Sequence, residues 1–427
     1  VIKIPKQRRS YNASIVTKTK LAFPENVSPS GICNPCTMCG GCEIGLKAKT
    51  GRTVFPEPFG IAQFAAEKKV PNLEDIQILP EIFGEEVIFP NVKTETDIGG
   101  FKSSLPLVVS ALGSTKVAHS LGKEIAAGSA KAGIPMVIGE NVMTTYGIQG
   151  LKNRIKPYLD NFEKFGAVIV QGNIEEIKQN IFEKAVELGA NGIEIKLGQG
   201  AKGGLGGEVV FEDPKEAEKY RKLGYMIIKR ADGKFERHCS PGNVTEKILR
   251  DLLVKYSDLK VPIWIKIVIG NGIIDFVKLC QRIVKEEKVL LKAITIDGFG
   301  GGTGMSPWLI MNETSLPSIS ALPEIGKLKL DFDILVSGGF ADGVSVAKAL
   351  MLGAKAVGMG RAFLISAKVA KEKGILNFVK ALKEEIQMVC ATQRVKDIKK
   401  LKNKRENLIA LSREASVLFD LKQKIKR

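Results

Sequence analysis

An apolar strand ending on Asp297 runs directly into a glycine-dense stretch, TIDGFGGGTGMSP from Thr295 to Pro307. Glycine lacks a Cβ and reaches positive φ, so backbone amides there can approach a flat or charged ligand that side chains would exclude. Two companion stretches follow other apolar runs: GQGAKGGLGG at Gly198 to Gly207, and VSGGFADGVSVAKALMLGAKAVGMGRAF at Val336 to Phe363. Cys33, Cys36, Cys39 and Cys42 fall within ten residues and are separated in part by Gly40 and Gly41. Thiolates three apart on a turning backbone can converge on one centre, so the pattern reads as a metal site rather than a disulfide framework. A four-iron, four-sulfur cluster is the first expectation, with structural zinc and free thiols as alternatives. The fourth ligand is Cys42 or a cysteine from elsewhere, such as Cys239.

The elements that must position these loops repeat from Leu105 onward. Short apolar runs alternate with amphipathic helical segments eight times: 105–112, 135–139, 167–171, 192–196, 262–270, 291–297, 333–339 and 356–360. Continuous apolar strands separated by helices imply parallel strands buried on both faces. Eight such pairs predict an α/β fold of the TIM (β/α)8 barrel type, against a doubly wound open sheet as the alternative. In a barrel, function gathers at the C-terminal ends of the strands, and all three glycine-rich loops fall there. Residues 1–100 read as a small N-terminal iron-sulfur module, 101–370 as the barrel and 371–427 as a C-terminal helical extension. That extension packs on the barrel or on another subunit, which leaves a homo-oligomer open.

Within the barrel, Ser337, Gly338 and Gly339 end the seventh strand, and Gly358, Gly360 and Arg361 end the eighth. Free amides and a helix N-terminus at these two loops commonly hold a phosphate. Tight turns alone are the plainer reading. A phosphate joined to a broad ring fits FMN, with Asp297, Gly301 and Gly302 bordering the same mouth. Lys266 lies inside the apolar run PIWIKIVIG. Pointing inward, it would need a ligand's negative charge such as that of a reduced flavin, whereas pointing outward it would only cap the strand.

The chain has 427 residues with 64 Lys and Arg against 46 Asp and Glu, a formal net charge of +18. Much of the excess lies on helix faces and in the tail, so an acidic redox partner is favoured over nucleic acid. No run approaches the roughly 18 apolar residues of a membrane span, and the basic start has no apolar core after it, so the expected location is cytoplasmic.

The order and spacing of the three glycine-rich motifs resemble the FMN-binding synthase domain of glutamate synthase, over about Leu105 to Phe363. VSALGSTKVAH at Val109 to His119 is similar to the family's first-strand flavin segment, and Gly139-Glu140-Asn141 stands in place of its glycine-glutamate motif. The resemblance implies FMN, electrons from an iron-sulfur cluster, and reductive formation of glutamate from 2-oxoglutarate and ammonia through a 2-imino acid, an oxidoreductase of the class acting on CH–NH2 donors. It implies Glu140 as the acid that handles ammonia, Lys202 as the keto-acid ligand and Gln199 as a lining residue. Ser110, Ala111 and Gln171 join the flavin contacts on the same ground.

There are departures. The sequence has no room for an amidotransferase domain, so ammonia is expected from solution or from a glutaminase subunit. The family's cluster cysteines follow the last barrel strand, where this chain offers only Cys390. The redox centre is therefore expected in the N-terminal module, as in the ferredoxin-bearing members, with a ferredoxin or a reductase subunit as donor. Ferredoxin modules usually show CxxCxxCxxxCP, which CxxCxxCxxC does not match. Other flavin barrels fit less well: 2-hydroxy-acid oxidases need a histidine base near the end of a late strand, and only His119 and His238 exist. Inosinate dehydrogenase chemistry needs a loop cysteine that GGTGMSP lacks. Another amine or keto acid, as in N-methylglutamate formation, and a non-catalytic electron-transfer subunit remain as alternatives.

Overall fold

The computed structural model describes residues 70–202, 204, 208–229, 235–238, 244–302 and 314–423. The four clustered cysteines, Cys239 and the stretch 303–313 lie outside the described residues. Eight parallel strands close into a barrel: β1 Leu107–Leu112, β2 Met136–Ile138, β3 Val168–Gly172, β4 Gly192–Lys196, β5 Ile263–Val268, β6 Leu291–Asp297, β7 Asp333–Ser337 and β8 Ala356–Met359. Each pairs with its sequence neighbour, and β8 closes on β1 through Val357 opposite Leu107 and Met359 opposite Val109. The open-sheet alternative is thereby excluded.

The outer ring consists of α1 Gly122–Lys131, α2 Val142–Leu159, α3 Ile181–Glu187, α4 Glu246–Ser257, α5 Ile273–Glu287, α6 Leu322–Ile325, α7 Gly343–Met351 and α8 Arg361–Thr392. The helix starts are marked in the sequence: Thr245 caps α4 through Ile248 N, and Asp342 caps α7 through Ser345 N. Helix α1 lies close against α8, because Gly128 brings its backbone to Ile375, where a Cβ would sit 2.8 Å from the isoleucine.

Side chains alternate across a strand with period two, and this positions the site. Low in the barrel, Val108, Val137, Ile169, Trp264, Ala293, Leu335 and Ala356 pack into one apolar cluster with Ile98. Two residues further along the same strands stand Ser110, Gly139, Gln171, Lys266, Thr295, Ser337 and Gly358, and Glu194 occupies the same level on β4. The inward face thus changes from apolar floor to polar mouth within one step of the pleat. A hairpin, Thr96–Ile98 with Phe101–Ser103, plugs the opposite end, where Trp264 Nε1 donates to Gly99 O at 2.9 Å.

Two features were not anticipated. Between β4 and α4 stands a three-stranded antiparallel sheet, Glu208–Phe211, Phe235–His238 and Met226–Lys229 in spatial order. The tail contains a short strand, Leu408–Ala410, pairing antiparallel with Ile76–Ile78. Gln387 of α8 also donates to Pro90 O and Val92 O, so the segment before the barrel is strapped to its outside. Among the described residues, no helix is long and apolar enough to cross a membrane.

Candidate active site

The polar mouth is built around one carboxylate. Glu140 follows β2, and Lys196, the last residue of β4, forms a hydrogen-bonded ion pair with its Oε1. Asn173 Nδ2 donates to Glu140 Oε2 at 2.9 Å, and Lys196 Nζ also donates to Gln199 Oε1 at 2.9 Å. Burial pushes the Glu140 carboxyl up, but the charge and hydrogen bond of Lys196, the Asn173 hydrogen bond and the charge of Lys202 outweigh it and hold the group below its ordinary value. Lys202 is buried in the short turn Gly200–Lys202. Asn141, which follows Glu140, has φ +65°, a left-handed conformation that asparagine tolerates better than most side chains. Its Oδ1 accepts from Asn173 Nδ2 and from Tyr225 Oη, each at 3.2 Å.

A second polar layer crosses the barrel axis. Gln171 Nε2 donates to Glu194 Oε1 at 2.6 Å, and Thr295 Oγ1 donates to Glu194 Oε2 at 3.4 Å. Burial holds the Glu194 carboxyl above its ordinary range, with Lys266 working against that shift. Lys266 points inward, buried, with Nζ 3.7 Å from Asp297 Oδ2. Asp297 in turn accepts from Ser337 Oγ at 2.5 Å and from Gly200 N at 2.9 Å, which joins the β4, β6 and β7 loops through one carboxylate.

The glycines are where backbones meet. Gly338 and Gly339 have φ of +102° and +96°, and a Cβ on Gly338 would lie 2.8 Å from Gly298 O. A Cβ on Gly358 would run into Ser110 Oγ, and one on Gly301 into the Asp297 carboxylate. Arg361, at the start of α8, donates from Nη2 to Gly300 O at 2.8 Å, and burial lowers its guanidinium to about 9. Ser110, Ala111, Gln171, Lys266, Asp297, Gly301, Gly302, Ser337, Gly338, Gly339, Gly358, Gly360 and Arg361 therefore gather at the C-terminal mouth with Glu140, Gln199 and Lys202.

Several residues at the mouth escaped the sequence reading. Lys196 and Glu194 lie two apart in a strand buried on both faces, a spacing that by itself places both charges on one inward face. Glu176 is buried behind Glu140 and accepts from Thr144 Oγ1 at 3.2 Å. Burial, helped by the charge of Glu140, raises its carboxyl to about 7. Arg237, in the middle strand of the inserted sheet, is fully buried with its guanidinium 4.2 Å and 4.7 Å from the ring centres of Tyr220 and Tyr225. Cys280 and Cys390 are buried in the core, and burial pushes each thiol up to about 12.

The fold is shared with solved flavoprotein structures. A flavocytochrome b2 variant with sulfite bound superposes with a TM-score of 0.62 at 18% identity, covering 98% of this chain and 94% of that one. The flavin-binding domain of baker's yeast flavocytochrome b2 gives 0.57 at 20% identity, covering 83% and 79%. By sequence, the archaeal glutamate synthase [NADPH] of Archaeoglobus fulgidus is 26% identical over 307 residues, 69% of this chain and 51% of that protein. The counterpart in Methanocaldococcus jannaschii is 25% identical over 310 residues, 70% and 55%. A glutamate synthase large subunit-like protein of Rhizobium meliloti is 29% identical over 185 residues, 42% and 40%. The chain thus spans about half the length of the curated relatives it matches. The family model for the conserved region in glutamate synthase matches residues 101–371, the stretch that forms the barrel. This chain belongs to the glutamate synthase conserved-region family.

Proposed function

We propose that the chain is an FMN- and iron-sulfur-dependent oxidoreductase that reduces the imine of 2-oxoglutarate and ammonia to glutamate. The observation that carries this reading is the buried pair of Glu140 and Lys196 at the mouth, with Gln199 and Lys202 beside it. The residues present fit the cofactor. Positive-φ Gly338 and Gly339 and the half-buried Arg361 suit a phosphate, while Ser110, Ala111 and Lys266 line a small cavity at the same mouth. When bound, FMN would supply a hydride, moving two electrons as one unit.

The chain's own residues then divide the work. Lys202 and Lys196 provide the positive charge that holds a keto acid at the mouth. Ammonia adds to the keto carbon, a C–N bond forms and water leaves, and Glu140 takes up and returns the protons of that exchange. The ionised Glu140 takes one further proton, from the ammonium ion that supplies the ammonia, and gives it to the imine nitrogen, so that the C=N carbon accepts hydride as the π pair collapses onto nitrogen. Asn173 and Lys196 fix Glu140 in place for both transfers.

Cys33, Cys36, Cys39 and Cys42 would hold the cluster through which a ferredoxin or reductase subunit loads the flavin, and the basic charge of the chain suits an acidic donor. Oxidation of a 2-hydroxy acid is the weaker reading. Strand β6 ends in Asp297, whose carboxylate is engaged by Gly200 and Ser337, and His119 stacks on Tyr146 with ring centres 3.6 Å apart, next to the ring of helices. The test is a single turnover without oxygen: photoreduced protein is mixed with 2-oxoglutarate and 15N-ammonium. One equivalent of 15N-glutamate per flavin supports the proposal, and 2-hydroxyglutarate would contradict it. Product from methylamine but not ammonium would move the assignment to N-methylglutamate formation.

A further inference from the structure

We propose that Arg154, on the helix that follows Glu140, is the positioning residue that shapes the flavin-binding turn after β1; this rests on the FMN reading above. Arg154 lies on α2 and is 1% exposed. Its Nη1 donates to Leu112 O at 2.5 Å and its Nη2 to Gly113 O at 3.0 Å. Eight residues earlier, just before a kink in α2 at Gly147, Tyr146 Oη donates to Ser114 O at 2.9 Å. Three consecutive carbonyls of one turn are therefore held by two side chains of α2. Gly122 makes room for the guanidinium, since a Cβ there would stand 2.8 Å from Arg154 Nε.

In a planar trans peptide the N–H points opposite to the C=O. Drawing the carbonyls of Leu112, Gly113 and Ser114 toward α2 turns the amides of Gly113, Ser114 and Thr115 the other way. Among the described residues none of these three amides donates to a protein acceptor. Successive unpaired N–H groups form a concavity for acceptor atoms, and this one directly follows Ser110 and Ala111. The turn also packs backbone to backbone against the glycine-glutamate motif: a Cβ on Gly113 would be 2.8 Å from Glu140 O, and one on Gly139 would be 2.5 Å from Gly113 N. Leu112 O accepts from Gly139 N at 3.0 Å as well. Arg154 thus fixes the flavin turn and, through it, the start of the Glu140 segment. A lysine could supply the charge but not the fork that spans two carbonyls.

The test compares FMN affinity, read from quenching of FMN fluorescence on titration with flavin-depleted full-length protein, with thermal unfolding of the same protein. Arg154→Met is expected to weaken FMN binding by about tenfold or more, and Arg154→Lys to fall between it and the parent. Tyr158→Phe serves as the control. Tyr158 is on the same helix, fully buried, and donates to Ile134 O at 2.7 Å at the far end of the barrel. It should lower the melting temperature and leave FMN affinity unchanged. Parent-like FMN affinity in the Arg154 variants, or an equal loss of affinity in Tyr158→Phe, overturns the role. If Arg154→Met does not fold, Arg154→Lys decides alone. A parent protein that takes up no FMN overturns the cofactor reading itself, and with it this role.

Discussion

Lys196 at the end of β4 and Glu140 after β2 form a buried ion pair that reaches across the barrel mouth, past the intervening strand β3. The two come from strands one apart in the sheet, and its inward curvature aims both side chains into the same mouth. The pair favours the ionised carboxylate at a site where burial disfavours it.

Removing the lysine should release that burial effect. In Lys196→Met the Glu140 carboxyl should rise, so the acid limb of the activity profile should move to higher pH. Glu140 with a lowered carboxyl contributes stability that is present above its unfolded value and lost as pH falls through the folded one. The variant should lose about 3–5 kcal/mol at neutral pH, since an unpaired buried charge remains. Urea unfolding at neutral and acid pH checks this; an unchanged midpoint at both would contradict it.

Glu176 carries the opposite sign. Its carboxyl is raised from 4.5 to about 7, so the folded protein favours the protonated form. Its stabilising contribution is complete below pH 4.5 and is lost as pH rises through 7. Glu176→Gln should therefore flatten the melting temperature against pH across that window, with its largest gain at the alkaline end.

The backbone of the β7 loop admits no side chain. Gly338→Ala combines φ +102° with a Cβ 2.8 Å from Gly298 O. It should cost about 1–3 kcal/mol and sharply weaken FMN binding, because the phosphate amides must move. Isothermal titration with FMN measures the second effect, and parent-like affinity would remove the phosphate assignment.

Lys202→Ala should raise KM for the keto acid by about tenfold, with flavin content unchanged. A parent-like KM would refute its role. Separately, Cys36→Ser should remove iron and the broad cluster absorbance without changing the melting of the barrel; unaltered iron content would move the cluster away from the N-terminal cysteines.

All eight barrel strands were legible to within two residues at each end, because parallel strands buried on both faces read as unbroken apolar runs. The mouth was legible where glycines announce it, at Gly338, Gly358 and Gly301. Lys196 was hidden for the opposite reason: it ends GIEIK, where a charge reads as a strand boundary until Glu194, two residues earlier, is seen to share its face. The inserted sheet was missed because its strands are only four residues long and carry charged residues such as Glu208, Lys229 and Arg237, so no window gives a clear period. Arg154 carries no motif; its role arises from the packing of α2 against the turn after β1.

The most direct test of the central claim mixes photoreduced protein with 2-oxoglutarate, with ammonia, and with both, and follows the return of oxidised flavin absorbance near roughly 450 nm. Reoxidation is expected only when both are present, and should slow by at least about a hundredfold in a Glu140→Gln variant that retains FMN. Reoxidation by 2-oxoglutarate alone, or an undiminished rate in Glu140→Gln, would contradict imine reduction with Glu140 as the proton donor.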